Sequence, residues 1–224
     1  MKDLRNWALG FLGTVAAVVI SYHWLDRPIA LFVNSRLEFS YSFGRLTLIP
    51  EVMTALLVAA FIALAFYALS GQKLSRLQTV LLLCGTNLAV AVAIKDMLKY
   101  AFGRPWPETW LHYNESFLSS GAYGFRPFHG GIAFQSFPSG HSTMACTVMT
   151  VFWICYPRFR PLYALCMVAV AVGLVGANFH FLSDVIAGSY LGISAGWLGV
   201  AIWEMGQRQV QPERDAAATS PRSG

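Results

Sequence analysis

Long stretches of this chain contain no charged residue, and these stretches predict its organisation. A helix that crosses a bilayer needs about 20 mostly apolar residues. Six uncharged runs satisfy that length, and the apolar part of the fourth begins at about Gly140. The runs are 6–25, 52–72, 77–94, 127–157, 161–183 and 185–203. The pattern therefore predicts an all-α fold, a polytopic membrane helix bundle with six transmembrane helices.

The composition supports a membrane protein. Hydrophobic residues make up 56% of the chain and charged residues 12%, whereas about 25% of an ordinary globular domain is charged. These values exclude a disordered chain, a secreted disulfide scaffold and almost every soluble enzyme. The formal net charge is +5, but the basic residues are dispersed along the chain. The sequence therefore predicts no nucleic-acid partner.

The Lys and Arg residues of the short loops between the predicted helices, together with those of the two termini, set the expected orientation. They lie in the N-terminus, in the turns after the second and fourth helices, and in the tail. These residues are Lys2, Arg5, Lys73, Arg76, Arg158, Arg160, Arg208, Arg214 and Arg222. Both termini are therefore expected in the cytoplasm, with segments 26–51 and 99–139 on the opposite side. Residues 1–206 are predicted to form the transmembrane domain, and 207–224 a disordered cytoplasmic tail.

Polar residues of five separate segments converge on the extracytoplasmic side of the predicted bundle. Ionisable groups at a membrane edge are candidates for function, because they are costly to place there. Each group also has an ordinary structural interpretation, such as a lysine that reaches the interface or a serine that caps a helix. The residues are Lys95, Asp96, Lys99, Arg104, Glu108, Arg126, His129, Ser139, Gly140, His141, His180 and Asp184.

Two histidines and an aspartate in this set indicate catalysis with a histidine as the nucleophile. Because His180 and Asp184 are four residues apart, they can hydrogen-bond, which fixes the ring tautomer and raises its basicity. Such a histidine can act as a nucleophile, and His141, beside Ser139 and a helix N-terminus, suits protonation of a leaving group. A zinc site is a weaker interpretation, since nearby Lys and Arg would repel the metal. A serine protease is weaker still.

The motif Pro138–Ser139–Gly140–His141, followed by His180 and Asp184, resembles the type 2 phosphatidic acid phosphatase superfamily, which is related to the vanadium haloperoxidases. Lys99 matches the first motif of that family. The resemblance covers roughly residues 96–198. It implies a membrane-embedded lipid phosphatase without a metal or other cofactor, because protein cations stabilise the transferred phosphate.

The chain departs from the family pattern at two positions that carry arginine in the family. Trp106 occupies the position of the first-motif arginine, and Gly173 and Leu174 occupy the Ser-Arg of the third motif. Both family arginines clamp phosphate oxygens. Other cations of this chain are therefore expected to replace them, Arg104 first and Arg126 second.

The resemblance implies hydrolysis of a lipid phosphate or diphosphate through a phosphohistidine. His180 is the expected nucleophile, Asp184 orients it, and His141 is the acid and base. Lys99, Ser139, Gly140, Arg104 and Arg126 are the expected phosphate-binding residues. Two alternatives are a lipid phosphotransferase of the same fold and a non-catalytic lipid-binding relative. The expected location is a bacterial inner membrane, with the site extracytoplasmic and its partner a lipid phosphate in the bilayer.

Overall fold

The computed structural model describes residues 2–37, 41–108 and 114–219, with side chains for 5–37, 43–108 and 114–209. Nine α-helices account for almost all regular structure in these residues. No strand occurs in these ranges, so the predicted all-α fold class is confirmed. The helices are α1 (Lys2–Ile20), α2 (Asp26–Arg36), α3 (Tyr41–Leu46), α4 (Leu48–Leu69), α5 (Arg76–Phe102), α6 (Phe117–Ser120), α7 (Gly140–Cys155), α8 (Arg160–Gly176) and α9 (Leu182–Thr219). A π-helical turn, Ser21–Leu25, joins α1 to α2.

Five helical segments among the described residues are long and apolar enough to cross a membrane. They are Arg5–Arg36, Phe43–Leu69, Arg76–Phe102, Pro157–Gly176 and Leu182–Gln209. The predicted fourth span, α7, has only 16 residues and falls short of that length. Large side chains point outward from the spans, as Leu56 and Phe66 of α4 do at 67% and 69% exposure. Such surfaces fit a lipid solvent, because lipid tails are as apolar as leucine.

The predicted boundaries differ from the observed ones near the C-terminus. The run 161–183 contains the end of α8 at Gly176 and a short link before α9 begins at Leu182. Helix α9 continues to Thr219, so the backbone of 207–219 is helical where a disordered tail is expected. The remaining tail residues, 220–224, lie outside the described residues. The division of the chain at residue 207 stays a prediction.

Local sequence explains where α5 begins and ends. Ser75 and Gln78 form a capping box, in which the Ser75 side chain accepts from the Gln78 amide and the Gln78 side chain accepts from the Ser75 amide. At the other end Gly103 adopts a left-handed conformation with φ 53°, which glycine tolerates. A side chain there would meet the Arg126 carbonyl oxygen, 2.0 Å from the Cβ position. The loop after α5 therefore folds back onto the end of that helix.

Helix α7 lies at the centre of the bundle, in contact with α4, α5, α8 and α9. Its contact with α9 is close because glycines of α9 lie against the α7 backbone. A Cβ at Gly192 would lie 2.4 Å from the Thr143 carbonyl oxygen, and one at Gly196 would lie 2.7 Å from that of Thr147. Small residues at four-residue spacing allow such approach between membrane helices. This packing holds the beginnings of α7 and α9 together.

Candidate active site

The N-terminus of α7 forms the floor of the candidate site. Ser139 caps the helix, since its Oγ accepts a hydrogen bond from the Ser142 amide at 3.4 Å. The Ser139 amide donates to the Asp184 carbonyl oxygen at 3.0 Å, which joins the start of α7 to the start of α9. The first amides of a helix lack partners within it and lie at the positive end of its dipole. Gly140 therefore presents an anion-binding position beside His141.

His180 lies in the link between α8 and α9, and its Nδ1 is 3.5 Å from Oδ2 of Asp184. Ser136 Oγ donates to the same carboxylate oxygen at 2.6 Å, and the Phe181 amide donates to it at 3.0 Å. The imidazole packs against the indole of Trp106, with ring centroids 4.8 Å apart. The Nδ1 edge of the ring is thus occupied by Asp184, which leaves Nε2 as the free nitrogen for attack on a substrate.

Burial controls the protonation of His180. The side chain is almost fully enclosed, and this desolvation lowers its pKa to about 4 in spite of the hydrogen bond to Asp184, which raises it. The ring is therefore neutral near pH 7. A neutral imidazole whose Nδ1 proton is donated to a carboxylate carries its lone pair on Nε2, as a nucleophile requires.

His141 faces His180 across the mouth of the site, with ring centroids 6.5 Å apart. Its Nε2 lies 3.1 Å from Oε1 of Glu51, in the first turn of α4. The His141 side chain is 27% exposed, so protons can exchange with water there. A partly exposed imidazole with a carboxylate partner suits general acid–base catalysis. Within the described residues no three His, Cys, Asp or Glu side chains converge to hold a metal ion.

Lys99 reaches the site from the last turn of α5. Its Nζ donates to the Gln135 carbonyl oxygen at 2.5 Å and lies 5.2 Å from the Trp106 ring centroid. The same ammonium group lies 4.0 Å from the Cβ position of Gly140. The structure therefore brings together six of the predicted residues, which are Lys99, Ser139, Gly140, His141, His180 and Asp184.

Arg104, the expected first replacement for the missing arginines, lies behind the site and does not face it. Its guanidinium is fully buried and donates through one nitrogen to Asp184 Oδ1 at 2.5 Å and Ser183 Oγ at 2.6 Å. The other terminal nitrogen donates to Asp26 Oδ2 at 2.8 Å. Burial would lower the pKa of Arg104, but the carboxylates of Asp184 and Asp26 raise it further than burial lowers it. Because both terminal nitrogens are engaged in these contacts, the structure does not place Arg104 with the six residues above, and its role as a phosphate clamp stays a prediction.

Arg126, the second expected replacement, is likewise engaged by an acidic residue. Its guanidinium pairs with Glu115 at 3.1 Å, and its side chain is 48% exposed. It also lies 5.1 Å from the ring centroid of Phe134. The second expected replacement is thus engaged at the loop surface. The loop that carries it includes residues 109–113, which lie outside the described residues.

Sequence reasoning missed three residues that shape the site. Ser136 binds Asp184, Glu51 binds His141, and Asp26 balances Arg104. None of these contacts follows a local spacing, since they join segments 48 or more residues apart. Lys95, which the sequence already places among the converging polar residues, precedes Lys99 by one helical turn, and this spacing places both on one face of α5.

Comparisons with known proteins agree with this geometry. The family model described as PAP2 superfamily matches residues 79–208. A protein of Rhizobium etli named lipid A 1-phosphatase is 30% identical over 210 residues, which are 89% of this chain and 84% of that protein. A second lipid A 1-phosphatase, from Rhizobium johnstonii, is 31% identical over 207 residues, 86% of this chain and 78% of that protein.

A solved structure shares the fold. It is the crystal structure of the first transmembrane PAP2 type phosphatidylglycerolphosphate phosphatase from Bacillus subtilis. The TM-score is 0.53 at 19% sequence identity, with 92% of this chain and 98% of that chain covered. At this identity the likeness concerns the arrangement of the helices alone.

Proposed function

Because the chain belongs to the PAP2 superfamily and is a membrane lipid phosphatase, we propose that its substrate is lipid A carrying a phosphate at position 1. The observation that carries this proposal is the likeness to two lipid A 1-phosphatases along most of both chains. The site is compatible with such a substrate, because its residues lie at the end of α5 and at the starts of α7 and α9, and not in the middle of the spans.

The proposed reaction proceeds in two steps. In the first, Nε2 of His180 forms a bond to phosphorus while the bond from phosphorus to the lipid oxygen breaks, and His141 donates a proton to that oxygen. In the second, His141 removes a proton from water, which attacks phosphorus and releases inorganic phosphate from His180. Asp184 holds the Nδ1 proton in both steps. Lys99, Ser139 and the Gly140 amide stabilise the charge on the phosphoryl oxygens.

The site is proposed to face away from the cytoplasm of a bacterial inner membrane. The positive-inside rule places turns rich in Lys and Arg on the cytoplasmic side. The two basic turns share one end of the bundle, since Arg76 at the start of α5 donates to the Cys155 carbonyl oxygen at the end of α7 at 2.8 Å. The candidate site lies at the opposite end of α7. Reporters fused at Ser119 and at Gln72 should therefore be extracytoplasmic and cytoplasmic, and the reverse pattern would place the site in the cytoplasm.

The substrate proposal is tested with protein purified in detergent and EDTA present. The panel is lipid A phosphorylated at position 1, lipid A lacking that phosphate, phosphatidylglycerol phosphate, phosphatidic acid and undecaprenyl diphosphate, with His180→Ala as the blank. We expect phosphate release chiefly from the first lipid, with a mass loss of one phosphate. Faster release from another lipid would overturn the substrate proposal. Transfer of the phosphate to a second lipid without release would favour the phosphotransferase alternative.

A further inference from the structure

Of the three cations predicted to bind phosphate, all among the described residues, the structure brings only Lys99 to the candidate site. Trp106 and Leu174 cannot supply a charge, and Arg104 and Arg126 are held by carboxylates elsewhere. A transferring phosphoryl group spreads negative charge over three equatorial oxygens, which usually contact several donors. A further cation is therefore needed beside Lys99.

Lys95 is placed to be that cation. It lies one turn before Lys99 on α5, and its Cδ and Nζ are 3.2 Å and 3.7 Å from the Cβ position of Gly140. Both ammonium groups thus lie against the first residue of α7. The Lys95 side chain is only 15% exposed, so most of it is enclosed by the protein.

Two lysines at the N-terminus of a helix are electrostatically unfavourable without an anion. The helix dipole places roughly half a positive charge at that end, which repels cations and attracts anions. In the structure Lys95 is balanced by Asp96, whose Oδ1 is 2.6 Å away and whose side chain is 59% exposed. An exposed carboxylate is a weak partner because water screens it, so an incoming phosphate can replace it.

We propose that Lys95 is a phosphate-binding residue, which together with Lys99 and the N-terminus of α7 takes over the part that the two missing arginines would play. This inference rests on the proposed use of the site for phosphoryl transfer. It also explains why residue 140 is glycine, since a side chain there would occupy the space between the lysines and the substrate phosphate.

The test compares Lys95→Met, which removes the charge and keeps the length, with Lys95→Arg and with Lys73→Met, a lysine in the turn between α4 and α5. The probes are inorganic phosphate and orthovanadate, whose binding is followed by thermal shift and by inhibition. Loss of one donor to a developing oxyanion costs about 10²-fold or more in turnover. Lys95→Met should therefore lose about that factor in kcat/KM and bind both anions at least about tenfold more weakly. Lys95→Arg should retain most binding, and Lys73→Met should match the wild type.

A second variant tests the same inference, and its expected change in phosphate affinity has the opposite sign. Asp96→Asn removes the competing carboxylate and should tighten phosphate binding several-fold, which a merely structural role for Lys95 would not produce. Unchanged anion affinity in both Lys95→Met and Asp96→Asn would overturn the proposal. Because anion binding needs no lipid, it still tests Lys95 if another lipid of the panel proves to be the substrate.

Discussion

The guanidinium of Arg104 contacts the carboxylate of Asp184 at 2.5 Å, and both side chains are fully buried. Arg104 binds Oδ1, whereas Oδ2 accepts from Ser136 and faces His180. The carboxylate is therefore fixed in the orientation that His180 needs. Asp26, at the start of α2, accepts from the same guanidinium and from the Ser183 hydroxyl. Asp26, which lies outside the family match, thus helps to hold Asp184 in place.

This network predicts that Arg104 affects stability and turnover more than phosphate binding. Arg104→Met leaves two buried carboxylates without their cation, and breaking a buried ion pair in this way costs about 3–5 kcal/mol. We expect that loss in the free energy of unfolding in detergent, a strong fall in kcat, and a nearly unchanged Ki for inorganic phosphate. Arg126→Ala is the control, and its stability should change by less than about 0.5 kcal/mol. If the Arg104→Met protein is stable but binds phosphate more weakly, Arg104 contributes to phosphate binding.

The protonation of His180 predicts the acid limb of the pH profile. Its pKa is lowered from the ordinary 6.5 to about 4 by burial, and in the proposed mechanism only the neutral ring attacks phosphorus. Activity limited by His180 should therefore persist down to about pH 4 and be lost below it. The second ionisation of a phosphate monoester, near pH 6, adds a limb of its own.

Profiles of kcat/KM for two substrates with different phosphate pKa values separate these limbs. The substrate limb moves with the phosphate pKa, while the limb of His180 stays in place. A limb near pH 6.5 that is the same for both substrates would show that His180 titrates as an ordinary histidine.

Substitution of His141 and substitution of His180 should have different effects on the phosphoenzyme intermediate. With p-nitrophenyl phosphate the leaving group needs no proton, so His141→Ala should still form the phosphoenzyme but hydrolyse it slowly. His180→Ala should form none. Acid-labile radioactive label retained on the protein after a rapid quench measures this difference. Label on His180→Ala would assign the nucleophile to another residue.

The fold was largely predictable because membrane spans follow from runs of uncharged residues. The short helix α7 is the informative difference, since its 16 residues are enclosed by α4, α5, α8 and α9 and need less contact with lipid. Its apolar sequence resembles that of a span, and only the tertiary packing reveals its position at the centre. The end of α8 at Gly176 could not be predicted from the sequence either, because the link to α9 carries no charge before Asp184.

The site was predictable where its residues follow short motifs and not where its contacts join distant segments. His141, His180 and Asp184 come together as the motifs indicate. A charge close to a motif predicts that Arg104 binds phosphate, and its partner Asp26, which lies 78 residues away, cannot be found from the spacing. Burial explains these contacts, because an arginine that is 0% exposed needs a carboxylate partner within the protein.

The contact between α7 and α9 provides the last prediction. Gly188 of α9 lies against the cap of α7, and a Cβ at this position would be 2.4 Å from the Ser139 carbonyl oxygen and 3.1 Å from its nitrogen. These are backbone atoms, so the helices must separate to admit a methyl group. Overpacking of this kind costs about 1–3 kcal/mol. Gly188→Ala should lower the thermal unfolding midpoint and, because Ser139 moves away from Asp184, reduce turnover as well.

Gly206, further along α9, is the matched control. Nothing lies within 4 Å of a Cβ at that position, and alanine in a helix is more stable than glycine by about 0.5–1 kcal/mol. Gly206→Ala should therefore keep full activity with an unchanged or slightly raised midpoint. Equal behaviour of the two variants would mean that α7 and α9 are not held as closely as the contact indicates. The hydrogen bond from the Ser139 amide to the Asp184 carbonyl oxygen would then not explain how the starts of α7 and α9 are held together.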